Sequence, residues 1–362
     1  MKRNNILQVF SSASWGGGEL YVLDLTKRLI EDNHNVICIT KRSNVIIDKL
    51  KSLNIPYFTL PINGFLDIKS ALSLRKIIEE NCIDIIHVHN FKTLFPIVYA
   101  KLLSKTKPKI ILSRHLIKRA KKGILYNWLY SHIDRMIFVS NMALEEFFLS
   151  SPNMDRSKCT VIHNSIKSSS SGHSELNIKR EYNIEKDTLL LTFTGRIVRD
   201  KGVDVLINAF SKLSDNNVNL IIAGVGDEVY MRGLKELVKK NNLSNRVFFL
   251  GFVKDINSVI SQSDIGVFPS VWREPFGLSI IEFMQAGKPV ITTNNGAQKE
   301  YITNKETGVL VEPNNIEGLS QAIELLINDK ELRKDIGLKA KEYFENNLSY
   351  ERFYKKIIST YK

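Results

Sequence analysis

Short apolar runs alternate with longer stretches of helical periodicity along nearly the whole chain, and the alternation is interrupted once. The runs Ile6–Phe10, Val36–Thr40, Ile83–Val88, Ile110–Ser113 and Met136–Val139 read as strands with helices between them. A polar, serine-rich segment, Lys167–Ser174, then breaks the pattern. It resumes with Leu189–Thr194, Leu220–Ala223, Val247–Leu250, Ile265–Phe268 and Val290–Thr292. Apolar runs buried on both faces and joined by helices are what a parallel sheet requires. The expected class is α/β, with two Rossmann-like, doubly wound domains facing a central cleft, over residues 1–167 and 168–341. One helical stretch, roughly Glu342–Tyr361, has no strand after it, so something outside the second repeat must cover its apolar side.

At 362 residues the chain is long enough for two separate cores. No apolar run reaches the length of a membrane span, and the one after the basic start MKRNN is too short for a secretory leader. Cys38, Cys82 and Cys159 have neither metal-ligand nor disulfide-framework spacing, which fits a reducing, cytoplasmic compartment. Charge is uneven. Residues 1–167 hold 25 Lys+Arg against 13 Asp+Glu, a net of +12, and the remainder holds 26 against 25, a net of +1. Such asymmetry points the first half at an anionic partner: nucleic acid, a membrane surface or a phosphorylated substrate. A solubilising lysine surface would more naturally be spread over both halves.

Ligands of open parallel sheets sit beyond the carboxyl ends of the strands, so the loops there carry the chemistry. After Ile265–Phe268 come Trp272, Arg273, Glu274, Pro275, Phe276, Gly277, Leu278, Ser279 and, a turn into the next helix, Glu282. A helix starting near Leu278 aims its free N–H groups at whatever occupies the loop. Two carboxylates beside an anion site suit a ligand that carries both diols and phosphate, as a sugar nucleotide does. The alternative is a capped surface helix with incidental acids.

After Leu189–Thr194, Gly195 permits a tight turn and Arg196 and Lys201 supply two cations, which a departing diphosphate needs. Gly224 and Gly226 follow the next strand and would let a base or phosphate approach the backbone. In the first half, Gly16, Gly17 and Gly18 open the first helix, and His115 follows Ile110–Ser113. His87 and His89 share one strand face, but no third metal ligand is in view, and no metal is expected. The chain has no pair of aspartates two positions apart to chelate a metal-bound nucleotide, no Walker lysine motif and no Gly-x-Ser-x-Gly elbow.

Glu274 and Glu282, seven residues between them and Pro-Phe-Gly-Leu inside, resemble the paired-glutamate signature of retaining GT-B glycosyltransferases of family four. That group contains bacterial lipopolysaccharide, capsule and phosphatidylinositol mannosyltransferases. The likeness runs nearly end to end, through Gly16–Glu19, Ser113–His115, Gly195–Gly202, Ala223–Gly226 and Gly287–Glu300. It departs at His163-Asn164-Ser165, where the family has Pro-Asn-Gly. The resemblance implies that Arg196 and Lys201 hold the donor diphosphate and Glu282 the ribose hydroxyls. Glu274 would meet the donor sugar, helped by amides from Phe276 to Ser279. Gly224 would line the donor, His115 would sit beside the sugar, and Gly16–Gly18 would close on the phosphates. It also implies a first domain that takes the acceptor, a second that takes the nucleotide sugar, and a last helix, 342–362, that crosses back to the first domain.

The expected activity is transfer of a hexose or N-acetylhexosamine, with retention, from a nucleotide sugar to a saccharide or lipid-linked acceptor. UDP is the expected nucleotide, and lipopolysaccharide, O-antigen or capsule synthesis the expected setting. No cofactor or metal is expected. Lys118, Arg119, Lys121 and Lys122, followed by Tyr126, Trp128 and Tyr130, are the candidate contact with an acceptor or an anionic inner membrane surface. The rival readings are a sugar-nucleotide epimerase, a phosphorylase without an assignable cofactor lysine, and a nucleic-acid binder without any recognised module.

Overall fold

The computed structural model describes residues 3–11, 16–167, 176–215 and 217–362, so all but the first residue of the serine-rich segment lies outside the described residues. The chain divides into two compact units, Met1–Asn164 with Glu351–Lys362, and Ser165–Tyr350.

The first unit is built on seven parallel strands: β1 (Asn5–Val9), β2 (Asn35–Thr40), β3 (Tyr57–Thr59), β4 (Ile85–Val88), β5 (Lys109–Arg114), β6 (Arg135–Phe138) and β7 (Cys159–Val161). Their order is β3-β2-β1-β4-β5-β6-β7, so winding reverses between β1 and β4. The second unit has six: β8 (Leu189–Thr194), β9 (Val218–Ala223), β10 (Val247–Gly251), β11 (Ile265–Phe268), β12 (Val290–Thr293) and β13 (Val309–Val311). Their order is β10-β9-β8-β11-β12-β13, with the reversal between β8 and β11. Each reversal leaves a gap at the carboxyl ends of the two central strands, where helices depart to opposite faces.

Helices cover both faces, which is why the central strands read as unbroken Ile, Val and Leu. Leu7, Ile86, Val88 and Leu112 are fully buried in the first core, and Leu191, Leu220 and Val267 in the second. Gln8 and His87, paired across β1 and β4, are wholly buried polar exceptions, as is Thr192 on β8. The strands absent from the sequence expectation, β3, β7 and β13, have three residues each and lie at or near sheet edges.

Two boundaries differ from expectation. The first unit ends at Asn164 rather than at residue 167, and only Glu351–Lys362 returns to it. The stretch from Glu342 to Tyr361 is not one helix. A helix ends at Tyr343, a wide turn covers Phe344–Leu348, and a new helix runs Tyr350–Tyr361. Ser349 between them is extended, with φ −60° and ψ 147°. The Asn347 side chain donates to the Tyr343 carbonyl at 3.1 Å, local bonding that competes with helix continuation. The last helix presents Phe353, Tyr354, Ile357, Ile358 and Tyr361, all buried. Among the described residues no helix is long and apolar enough to cross a membrane.

Candidate active site

In the second unit the loops after β8, β9, β11 and β12 are locked together through their backbones. Gly195 donates to the Ala223 carbonyl at 3.0 Å and Ile197 to that of Val225 at 2.9 Å. A Cβ at Gly224 would lie 1.8 Å from the Gly195 oxygen, and one at Gly226 2.0 Å from that of Ile197. These two glycines are thus required by loop-on-loop packing, a different reason from the ligand approach expected of them. Gly202, at φ +66°, opens the helix Val203–Phe210 and would drive a Cβ to 2.2 Å from the Pro269 oxygen. The amide of Val271 then reaches the Asp200 carbonyl at 2.9 Å, joining the β8 and β11 loops.

Glu274 is held within this frame. Its Oε2 accepts from Lys201 Nζ at 2.5 Å, Trp272 Nε1 at 3.2 Å and Ser270 Oγ at 3.3 Å. Oε1 takes no partner among the described residues. Only a tenth of the Glu274 side chain and a fifth of that of Lys201 meet solvent, so the pair is well shielded. From the next loop, Ala297 donates to the Glu274 carbonyl at 2.8 Å, and a Cβ on Gly296 would strike the Glu274 amide at 2.5 Å. Lys201 and Glu274, assigned separately to diphosphate and sugar, are therefore one ion pair.

Gly277, at φ +89°, turns the chain into the helix Leu278–Gln285, which no side chain caps. The turn is fixed by Tyr301, whose hydroxyl donates to the Phe276 carbonyl while the two rings stand 5.0 Å apart. Ser279 lies beside Gly195, its Oγ 3.7 Å from where a Cβ would stand. Glu282, one turn on, is half-buried and has no side-chain partner among the described residues. Burial pushes its carboxyl up to about 7, so near neutral pH it is divided between acid and carboxylate. Arg196 is exposed and likewise unpaired among the described residues. The assembly offers a bare helix N-terminus, an available cation, a second cation clamped by a carboxylate, and two carboxyl groups able to bind hydroxyls.

In the first unit, Gly16 precedes the helix Gly17–Glu31, which also lacks a side-chain cap. A Cβ on Gly18 would meet nothing within 4 Å. His115 follows β5 directly and is half-buried, its ring 4.9 Å from Tyr21 and stacked at 5.9 Å on His89. Burial lowers His115 to about 4 and His87 to about 3, so both are neutral near pH 7. His87 is bonded on both nitrogens, to the Tyr361 hydroxyl at 2.7 Å and Ser113 Oγ at 2.8 Å. His89 Nε2 lies 2.6 Å from Gln8 Oε1. Among the described residues no group of three or more ligating side chains could hold a metal. Gln8 and Tyr361 were given no role in the sequence reading, and Ser113 entered it only within the strand Ile110–Ser113 and the family-like stretch Ser113–His115.

Lys118, Arg119, Lys121 and Lys122 are exposed on the connection between β5 and the helix Ile124–Ser131. Arg119 pairs with Glu146 at 3.2 Å, and Lys121 lies over the Tyr126 ring at 5.1 Å. The aromatics that follow face inward. Tyr130 is buried and bonded to the Lys121 backbone, and Tyr126 and Trp128 pack on the core. The apolar side chains that do meet solvent there are Leu116, Ile124 and Leu125, with Ile124 90% exposed.

Residues 15–169 match the family model Glycosyltransferase Family 4, and residues 174–343 match Glycosyl transferases group 1. An uncharacterised glycosyltransferase of Methanocaldococcus jannaschii is 31% identical over 353 residues, spanning 93% of this chain and 92% of its own length. The Escherichia coli UDP-Gal:α-D-GlcNAc-diphosphoundecaprenol α-1,3-galactosyltransferase is 26% identical, over 82% of this chain and 81% of its own. Among solved structures, a glycosyltransferase from Rickettsia africae aligns with a TM-score of 0.89 at 25% identity, covering 100% of this chain and 98% of that one. Anabaena HepE, crystallised with UDP and glucose, aligns with a TM-score of 0.84 at 21% identity, covering 99% of each chain. With sheets of seven and six parallel strands, these likenesses make the fold GT-B.

Proposed function

From the premise that this chain belongs to the family-four and group-one glycosyltransferases, we propose that it transfers a hexose or N-acetylhexosamine from a UDP-sugar with retention. The observation that carries the donor reading is the clamped pair Lys201–Glu274 in the same loop frame as the uncapped helix Leu278–Gln285. Arg196, Lys201 and the amides of Leu278 and Ser279 neutralise the diphosphate as its charge grows. Glu274 Oε1 accepts from a donor-sugar hydroxyl, while Oε2 stays with Lys201. Glu282, near half-protonation, can both donate to and accept from the ribose diol. His115 meets the sugar as a neutral imidazole, and Gly16–Gly18 closes on the phosphates.

In this chemistry the acceptor oxygen bonds to the anomeric carbon on the face from which the phosphate oxygen leaves. The acceptor proton passes to that departing oxygen, so no separate base is needed. No carboxylate is assigned as a covalent nucleophile. The acceptor is a saccharide or a lipid-linked saccharide, in lipopolysaccharide, O-antigen or capsule synthesis. The relative named for a diphosphoundecaprenol acceptor supports this, as does the basic first half of the chain. Lys118, Arg119, Lys121 and Lys122 would hold that half at an anionic inner membrane surface, with the exposed Ile124 entering the headgroup layer.

The test is a panel of UDP-, GDP- and ADP-sugars read by thermal shift and nucleotide release, with the product anomer assigned by NMR. Release of UDP with an α-linked product from an α-donor is expected. Turnover confined to an altered nucleotide sugar, with no acceptor consumed, would establish an epimerase instead.

A further inference from the structure

We propose that Tyr361, next to the last residue, is a positioning residue for His115, acting through Gln8 and His89. The proposal rests on the transferase reading of His115. All the residues involved belong to the first unit.

The Tyr361 hydroxyl is 2.7 Å from His87 Nδ1 and 3.4 Å from Gln8 Nε2. Gln8 Oε1 is 2.6 Å from His89 Nε2, and His87 Nε2 is 2.8 Å from Ser113 Oγ. Each atom's donor capacity then orders the chain. The Gln8 amide donates to the tyrosine oxygen, which is also bonded to His87 Nδ1. His89 then donates from Nε2 to Gln8 Oε1, which leaves His89 Nδ1 as a lone pair. That atom is buried and has no partner. Running every bond the other way, with the Gln8 amide reversed, also closes the chain but places an unpaired N–H at that buried Nδ1. Orphaned N–H groups are the rarer and costlier kind, which selects the first direction.

The consequence reaches His115. Its ring lies 25° from parallel with that of His89 at 5.9 Å. Tyr21 stands edge-on to both, at 5.7 and 4.9 Å. His115 itself has no hydrogen bond among the described residues to fix its ring, and its Nε2 is buried without one. Its plane is therefore set by packing against two tethered rings, His89, held through Gln8, and Tyr21, bonded to Ser113, which is in turn bonded to His87. A hydroxyl on the last helix thus fixes the tautomer and tilt of the rings around a group placed against substrate.

The experiment compares the full chain with Tyr361→Phe, which keeps the ring and removes the hydroxyl. Long-range proton–nitrogen NMR of the histidine side chains reads tautomers without ligand, and UDP release from UDP-glucose in water reads turnover. The unaltered chain is expected to show a neutral His89 protonated on Nε2. In Tyr361→Phe it should become a tautomer mixture, and kcat should fall on the order of tenfold with KM for donor unchanged, since misplacement of a bound group costs rate. A reversed tautomer in the unaltered chain, an unchanged tautomer in the variant, or an altered tautomer with unaltered kcat would each overturn the proposal. If UDP-glucose is inert, the same comparison is made with whichever donor the nucleotide-sugar panel finds. No turnover with any donor overturns the transferase reading and this role together. Should Tyr361→Phe not fold, His89→Phe, which keeps a ring but loses the tether, is read by turnover, where the same fall in kcat at unchanged KM is expected and an unaltered kcat overturns the proposal.

Discussion

Three donors converge on one oxygen of Glu274, and the strongest of them is Lys201. Lys201→Ala removes a cation from the proposed leaving group and also frees the carboxylate that was holding it. Glu282→Ala removes the proposed ribose contact from a side chain with no structural partner to lose. Each should cut sugar transfer by roughly a hundred- to thousandfold, about 2.7–4 kcal/mol, with the purified protein still folded. Near-normal transfer by either variant sinks the site. The histidines make a separate claim about pH. Burial holds His87 near 3 and His115 near 4 and lowers His89 as well, so the folded chain refuses protons that the unfolded chain accepts below about 6.5. Stability is whole above that pH and is lost as pH falls toward 4, by up to about 1.4 kcal/mol per unit for each group. Glu282, raised to about 7, works in the opposite sense between there and its ordinary value, but it is one group against three. Urea midpoints should drop between pH 7 and pH 5, and His115→Phe should flatten the fall. A profile already flat in the unaltered chain means the imidazoles are not buried as neutral groups. The sequence placed Glu274, Lys201 and His115 because strand-end loops are short and strands are easily found. It could not place Gln8 or Tyr361, because their partner lies 274 or more positions from the helix hydroxyl.

The elements of the second unit meet through glycines whose missing side chains face carbonyl oxygens. Gly226 can be tested most simply, since its φ is not in the left-handed region and only the contact forbids a side chain. Gly226→Ala must push the Ile197 carbonyl away, and overpacking of this kind costs about 1–3 kcal/mol. The denaturant midpoint should fall accordingly, and a neutral substitution would mean the two loops are not in contact. Central strands were legible from sequence to within a residue or two, because apolar runs buried on both faces have few other fates. The three-residue strands were not, since edge strands bury less and need no continuous pattern. The division of the final helical stretch was hidden too. Residues on both sides of Ser349 keep helical periodicity, while the extended backbone of Ser349 and the side-chain bond from Asn347 mark the interruption.

For the molecule as a whole, charge was the clearest signal and the least specific one. A net of +12 in the first 167 residues predicts sedimentation with anionic vesicles and little with neutral ones. Basic residues near such a surface contribute about 1 kcal/mol each and are screened by salt. Ile124→Ser should then weaken the remaining salt-resistant binding about tenfold or more, given that burying such a side chain is worth about 1.5–3 kcal/mol. Equal, negligible binding to both vesicle types would leave the charge unexplained. Transfer should also survive EDTA, because the proposed diphosphate site uses Arg196, Lys201 and amides. Metal-reversible loss of activity would refute that site. The return of Glu351–Lys362 to the first unit has a bearing on how the protein is made. A ribosome that has finished residue 164 has not finished the first unit. The second, being continuous in sequence, can close while the first still exposes the surface meant for Phe353, Ile357 and Tyr361. Synthesis therefore completes the earlier-encoded unit after the later one, and a chain that stops before residue 351 has one finished half and one open core.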